Sequence, residues 1–320
     1  MQILITGIAG FIGSHLGEKL ISQGHKIIGV DNFDPFYSRH FKENNLLQLK
    51  GSDKFSFFEA DISDKPAIKN IFNEHSVDLV IHLAAKAGVR PSIEQISEYY
   101  QVNINGTVNL LECMREASIS KLIFASSSSV YGNNQKVPFS ETDFVDNPIS
   151  PYAATKKSGE LLCHVYSSLY GFDITCLRFF TVFGPRQRPD LAIHKFTRLI
   201  DQEKAVPFFG DGSTSRDYTY IDDIISGIIC AINKVKGFNV YNLGESRVIK
   251  LNELISIIEN ALNKKAILDR QPLQPGDVQK TFADITKAIN ELGYNPRYDM
   301  ELGIKQFITW YKENERKLYN

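Results

Sequence analysis

An α/β fold is predicted for this chain, a doubly wound parallel sheet joined to a smaller second α/β domain, and three observations lead to it. Short β-branched runs alternate with longer helical patterns through residue 180, a glycine-rich turn follows the first run, and the rhythm breaks after Gly184. The apolar runs fall at 2–6, 26–30, 55–59, 79–83, 121–126 and 174–179. Between them, 12–23, 65–74, 102–117 and 152–170 carry helical spacing, and strands separated by helices of this length form parallel βαβ units. Pro185, Pro189, Pro207, Gly210 and Gly212 then punctuate shorter elements. The run 239–243 reads as one further buried strand returning to the first sheet, before a helix at 251–263. Residues 1–180, with roughly 213–243, are assigned to the first domain, and 181–212 with 244–320 to the second.

Composition narrows the function classes. Lysine and arginine number 36 against 37 acids, so no overall field draws the chain to nucleic acid or to an anionic membrane, and an anionic ligand must be gripped locally. Cys113, Cys163, Cys176 and Cys230 lack the close pairing of a zinc or redox site, which gives an expectation of no metal and of reduced thiols in a cytoplasmic protein. The first residues run straight into a strand rather than a secretory signal, and no apolar run is long enough to cross a bilayer.

The first strand ends in TGIAGFIG, placing Gly7, Gly10 and Gly13 where a tight turn delivers backbone N–H groups and a helix N-terminus to a pyrophosphate. The second strand ends at Asp31, an acid placed to accept both ribose hydroxyls of an adenosine and to repel a 2′-phosphate. A Rossmann-type NAD site follows. Tyr152 and Lys156 stand four apart on one face of a helix, so an ammonium can favour the phenolate of a tyrosine acting as base. Ser127 lies 25 residues earlier, at the carboxyl end of a central strand, where this architecture collects its ligands.

Taken in order, TGIAGFIG, Asp61-Ile62, HLAAKAG, Asn103, SSSSVYG and Tyr152-Ala153-Ala154-Thr155-Lys156 resemble the extended short-chain dehydrogenase/reductase family, in its nucleotide-sugar epimerase and dehydratase branch, along nearly the whole chain. The resemblance implies cofactor contacts at Phe11, Ile12, Asn32, Asp61, Ile62, Leu83, Ala84, Ala85, Phe179 and Val182, with Asn103 supporting the site and Ser127 as the hydroxyl that binds the reacting group. It also implies a cycle in which Tyr152 takes the proton of a sugar 4-hydroxyl while hydride leaves C4, giving a 4-keto sugar that is reduced on its other face.

Dehydratases and decarboxylases of this branch carry acids just after the catalytic Ser/Thr, whereas this chain has Ser128 and Ser129, which favours simple epimerisation. The stretch 179–190 resembles the corresponding loop of UDP-glucuronate 4-epimerases, implying that Ser128, Ser129, Thr181 and Arg188 hold a sugar carboxylate. Phe208-Phe209-Gly210 and Arg216-Asp217-Tyr218 resemble the uracil shelf and diphosphate arginine. Asp277 matches a late ribose contact, and Gln274 stands where galactose-type epimerases have Arg, leaving Arg270 as a replacement. Arg90 is placed either at the sugar and phosphates or at the surface. The helices 102–117 and 152–170 match those of a homodimer interface in the family. Three alternatives stay open at this point: a UDP-N-acetylglucosamine (or its uronate) 4-epimerase, a decarboxylase, and a non-catalytic NAD-binding regulator.

Overall fold

A computed structural model describes residues 1–272 and 278–316 of the chain. Its strands are β1 (Gln2–Thr6), β2 (Lys26–Asp31), β3 (Phe55–Glu59), β4 (Leu79–His82), β5 (Lys121–Ser127), β6 (Asp173–Phe179), β7 (Thr181–Phe183), β8 (Ala205–Phe209), β9 (Ser215–Arg216), β10 (Tyr218–Tyr220), β11 (Phe238–Leu243), β12 (Ile249–Lys250) and β13 (Ile267–Gln271). Seven form one sheet in the order β11-β6-β5-β4-β1-β2-β3, with every pair parallel. The α/β expectation therefore holds, and so does the return of 239–243 to the sheet, where Val240 pairs with Cys176.

Burial on both faces explains why the strands read as continuous apolar runs rather than alternating ones. Ile3 and Ile5 enter one core while Leu4, between them, enters the other, as the two-residue period of a strand requires. The helices Phe11–Ser22 and Ile221–Ile232 contribute to the first core, and Lys65–Glu74 and Gly106–Glu116 to the second. Strand order reverses at β1, between β2 and β4, so a crevice opens at the carboxyl ends there. The remaining strands form three two-stranded ladders outside the sheet, β10-β7, β12-β9 and β13-β8.

One helix differs from its sequence expectation. The span expected at 102–117 begins earlier, with the short helix Ile96–Tyr100, and is divided into a wide π-helical turn Gln101–Asn105 and the helix Gly106–Glu116. Asn103, inside the turn, accepts from Lys86 N at 2.8 Å and donates to Lys86 O and Thr155 Oγ1 at 2.9 and 3.0 Å. The widened turn aims this amide at the strand end after β4, a common use of such bulges.

The helix Pro151–Tyr170 is started by Ser150, whose hydroxyl accepts from Ala153 N, and is ended by Gly171 at φ 68°. A buried ion pair ties it to the sheet: Glu160 meets Arg178 of β6 through two 2.8 Å bonds, both side chains under 5% exposed. Glu160 also accepts from Ser126 Oγ at 2.6 Å, and Arg178 donates to the Tyr131 hydroxyl, which passes its own proton to Asn242 of β11. Losing one partner of such a pair costs about 3–5 kcal/mol, enough to fix one register of helix on strand.

Candidate active site

A cavity of about 520 Å³ runs along the carboxyl ends of the strands and is lined by residues from nearly every expected motif. At one end stand Gly7, Gly10, Phe11, Ile12, Gly13, Asp31, Asn32, Ile62, Leu83, Ala84 and Ala85. Toward the middle are Ser127, Ser128, Ser129, Tyr152, Lys156, Phe179, Thr181, Val182 and Arg188, and Arg216, Val278 and Thr281 also border it.

The glycine turn is built by steric exclusion. Gly7 has φ 74°, and a Cβ there would lie 2.8 Å from Ala84 N; a Cβ on Gly13 would lie 2.2 Å from Gly7 O. The turn's own closure thus excludes side chains before any ligand does. No side chain caps the helix that follows at Gly10, and no acid stands in its first turn, so the leading N–H groups suit an anion. Asp31 receives Ala9 N at 3.0 Å and Phe33 N at 2.9 Å. Burial pushes its carboxyl pKa up, against those N–H bonds and the charge of Lys42. The acid therefore closes the loop and faces the cavity at once, so a turn-forming role and a ligand-binding role coexist. This cradle fits the adenosine and pyrophosphate of NAD. Asp61 does not line the cavity; it accepts from Asn32 Nδ2 at 2.6 Å and from Ser63 N at 2.7 Å.

Ser127, at the end of β5, accepts from both the backbone N–H and the hydroxyl of Ser129, at 3.2 and 3.0 Å. The Ser127 hydroxyl also acts on the Tyr152 phenol, favouring its ionised form. Burial pushes the Tyr152 pKa up; the Ser127 hydrogen bond and, after it, the charge of Arg188 work in the opposite direction. Lys156, expected to favour the phenolate, stands beside it: its ammonium donates to Ala125 O at 2.7 Å and lies 5.9 Å from the centre of the Tyr152 ring. Burial lowers its own pKa to about 8. The lysine thus ties the helix to the strand while its charge stays next to the phenol. Ser129 donates its hydroxyl to Ser127 and lines the same cavity as Ser128, Thr181 and Arg188.

Arg188 sits on a loop pinned from both sides. Arg186, at φ 65°, reaches Glu18 through bonds of 2.7 and 2.8 Å, and its Nη2 donates to His15 Nδ1 at 3.2 Å. His15 is neutral, its pKa lowered to about 3 by burial and by Arg186, and its Nε2–H donates to Pro185 O. Gln187 donates to Val182 O and accepts from His194 N. Arg188 itself donates to Asp190 through Nε at 3.0 Å and Nη2 at 2.7 Å, over the ring of Phe36.

Arg216 borders the cavity, and its Nη1 donates to Ser215 O at 2.9 Å. Behind it Asp217, pushed up to about 6 by burial, gathers the N–H groups of Glu245, Ser246 and Ala283. Arg90 and Phe209 are not in the cavity wall. The guanidinium of exposed Arg90 lies 4.8 Å from the centre of the Phe209 ring, which is the surface placement of the two expected for Arg90. Arg270 likewise lies over Phe208, at 4.9 Å. Asp277 and Gln274 fall outside the described residues.

Sequence reasoning missed Lys42, Tyr37 and Tyr99, all in the cavity wall. Buried Lys42 donates to Asp34 O and lies 4.7 Å from the centre of the Tyr37 ring. Tyr99 meets the Tyr152 ring edge-on and donates to Ala87 O. Their one signal was position, in the connections after β2 and β4 at the ligand-binding edge.

Comparison with known proteins agrees with this layout. A family model described as GDP-mannose 4,6 dehydratase matches residues 4–307. The chain is 46% identical to a UDP-glucuronate 4-epimerase of Thermodesulfobacterium geofontis, over 97% of this chain and 96% of that protein. It is 42% identical to Protein CapI of Staphylococcus aureus, over 99% and 100%. A crystal structure of the UDP-glucuronic acid 4-epimerase of Bacillus cereus, in complex with UDP-glucuronic acid and NAD, superposes with a TM-score of 0.93 at 37% identity, covering 98% of this chain and 99% of that one.

The hydrogen bond from Ser127 favours the charged phenolate of Tyr152, so removing it raises the phenol pKa further. In Ser127→Ala, an NMR titration of ring-labelled Tyr152 should turn at higher pH than in the parent. A midpoint that stays put or falls would contradict this wiring.

Proposed function

Because the chain belongs to the GDP-mannose 4,6 dehydratase family of extended short-chain dehydrogenases/reductases, we propose that it is an NAD-dependent epimerase that inverts C4 of UDP-glucuronate to give UDP-galacturonate. The observation that carries this reading is Arg188, a guanidinium in the same cavity wall as Tyr152, Ser127 and Thr181. A neutral sugar offers such a cation no partner, whereas a uronate offers a carboxylate matched to its planar fork. The UDP-glucuronate 4-epimerases at 46% and 37% identity support the same choice over UDP-N-acetylglucosamine.

The residues divide the work by position. Gly7, Gly10 and Gly13 with the helix N-terminus take the pyrophosphate, Asp31 the adenosine ribose, and Arg216 the substrate diphosphate, with Asp277 as a ribose contact. Tyr152 accepts the proton of the sugar 4-hydroxyl, and Ser127, oriented by Ser129, donates to the oxygen that carries the developing charge. When bound, NAD supplies the hydride chemistry, taking hydride from C4 and returning it to the opposite face. Lys156 keeps the helix of Tyr152 on β5 and adds positive charge near the site.

Ser128, Ser129, Thr181 and Arg188 restrain the carboxylate. A 4-keto uronate is a β-keto acid, and it loses carbon dioxide when the C5–C6 bond aligns with the carbonyl π system; a held carboxylate keeps that bond out of line. Positions 128 and 129 carry serines, so neither supplies a carboxyl to carry the proton of an elimination.

The reading includes residues 1–180 with roughly 213–243 as the NAD-binding domain, and 181–212 with 244–320 as the sugar-nucleotide domain. It includes cytoplasmic residence, which suits cysteines that stand free. It also includes a homodimer. Leu161, Val165 and Leu169 form an exposed stripe at four-residue spacing on the helix Pro151–Tyr170, and Ile96 and Tyr100 are exposed on the short helix Ile96–Tyr100. Among the described residues no helix is long and apolar enough to cross a membrane, so a second copy is the cover proposed for this face.

Incubated with UDP-glucuronate, the protein should form UDP-galacturonate, and Tyr152→Phe should form none; UDP-pentose as the main product, or turnover of UDP-N-acetylglucosamine alone, would refute the assignment. In sedimentation the parent should run as two copies and Val165→Asp as one. A monomeric parent would remove the dimer from the reading.

A further inference from the structure

We infer that Asp190 is a specificity-determining positioning residue, which holds Arg188 by its side edge and leaves the end edge of the guanidinium for the sugar carboxylate. The inference deepens the uronate reading and rests on it.

A guanidinium has five N–H groups, and its two flat edges can each meet a carboxylate in parallel. Asp190 takes one edge, receiving Nε at 3.0 Å and Nη2 at 2.7 Å. The three N–H groups it does not use lie on Nη1 and on the far side of Nη2, which is the other edge. The plane is set independently by Phe36, whose ring centre is 5.3 Å from the guanidinium carbon. An arginine side chain carries about 2 kcal/mol of rotamer entropy, so an unheld Arg188 would pay to order itself each time a substrate arrived.

The surroundings favour orientation over competition. The backbone leading into Arg188 is already fixed, by Arg186 on Glu18 and by Gln187 on Val182, and Leu191 N donates to its own carbonyl. What remains free is the side chain, and Asp190 and Phe36 restrain it. Asp190 is the more exposed member of the pair, at 35% against 17%. Burial works against the charge of Arg188, and the hydrogen bond and charge of Asp190, with the neighbouring tyrosines, together raise its pKa, so Arg188 stays a cation at the cavity wall. A cation held in place serves the chemistry as well as the affinity, since a restrained carboxylate is what keeps carbon dioxide in the keto intermediate.

The test compares Asp190→Ala and Asp190→Asn with the parent on UDP-glucuronate. The KM should rise about tenfold or more in Asp190→Ala, with a smaller change in kcat, as for loss of uniform binding. The fraction of decarboxylated UDP-pentose should increase, while inhibition by UDP, which has no sugar carboxylate, should not move. Asp190→Asn keeps the shape with a weaker acceptor and should shift the same quantities less. In an Arg188→Lys background, which has no side edge to hold, Asp190→Ala should add nothing further.

An unchanged KM and product ratio in both variants would overturn the inference while leaving the epimerase reading intact. A lower KM would overturn it too, by making Asp190 a competitor of the substrate. A parent that does not turn over UDP-glucuronate would remove the reading and the inference together.

Discussion

Everything at the site depends on how closely the helix Pro151–Tyr170 lies on β5. At Gly159 the approach leaves no room for a side chain, since a Cβ would come 2.3 Å from Phe124 Cζ. Side chains on either side of this contact do the fixing: Lys156 ties to Ala125 O, and Glu160 ties to both Ser126 and Arg178. One turn before Lys156 stands Tyr152, and one residue after Ser126 stands Ser127. That phenol and hydroxyl share one cavity wall is therefore the product of a packing register, held by a buried ion pair that costs several kcal/mol to break.

The remaining half of the site comes from loops, and each is tied down by groups far away in sequence. Asp31 closes the glycine turn, Asn103 holds the strand end after β4, and Arg186 joins the Arg188 loop to the same helix whose N-terminus completes the cofactor cradle. On the proposed reading the cofactor and sugar subsites share a wall: the loop assigned to the carboxylate is braced against the element assigned to the pyrophosphate, which sets the distance over which hydride would pass.

Much of this was legible in the sequence because the signals are local. The glycine turn, the strand end at Asp31 and the four-residue step from Tyr152 to Lys156 each lie within one element or one connection, and residue spacing alone places them. The return of β11 to the sheet was legible for the same reason, as a short buried run before a helix. Other parts were not. Arg186 and Glu18 are 168 residues apart, and nothing in either neighbourhood announces the other. Tyr37 reaches the cavity from a loop, and Lys42 and Tyr99 from the short helices Arg39–Asn45 and Ile96–Tyr100, whose placement periodicity does not encode. Spacing puts Lys156 beside Tyr152, but only the fold reveals its second tie, to Ala125 O. Likewise the serine run gave composition without direction, and the bond from Ser129 to Ser127 shows only in the fold.

The account's central claim is that one phenol, set by that register, takes the proton of the sugar 4-hydroxyl as hydride leaves C4 for the nicotinamide, and that the same hydrogen returns to the same carbon. UDP-glucuronate deuterated at C4, turned over to equilibrium in ordinary water, tests it directly by mass spectrometry and NMR of both sugars. The account predicts that deuterium stays at C4 in UDP-galacturonate and in recovered substrate. Loss of the label to solvent, or its appearance at another carbon, would contradict it.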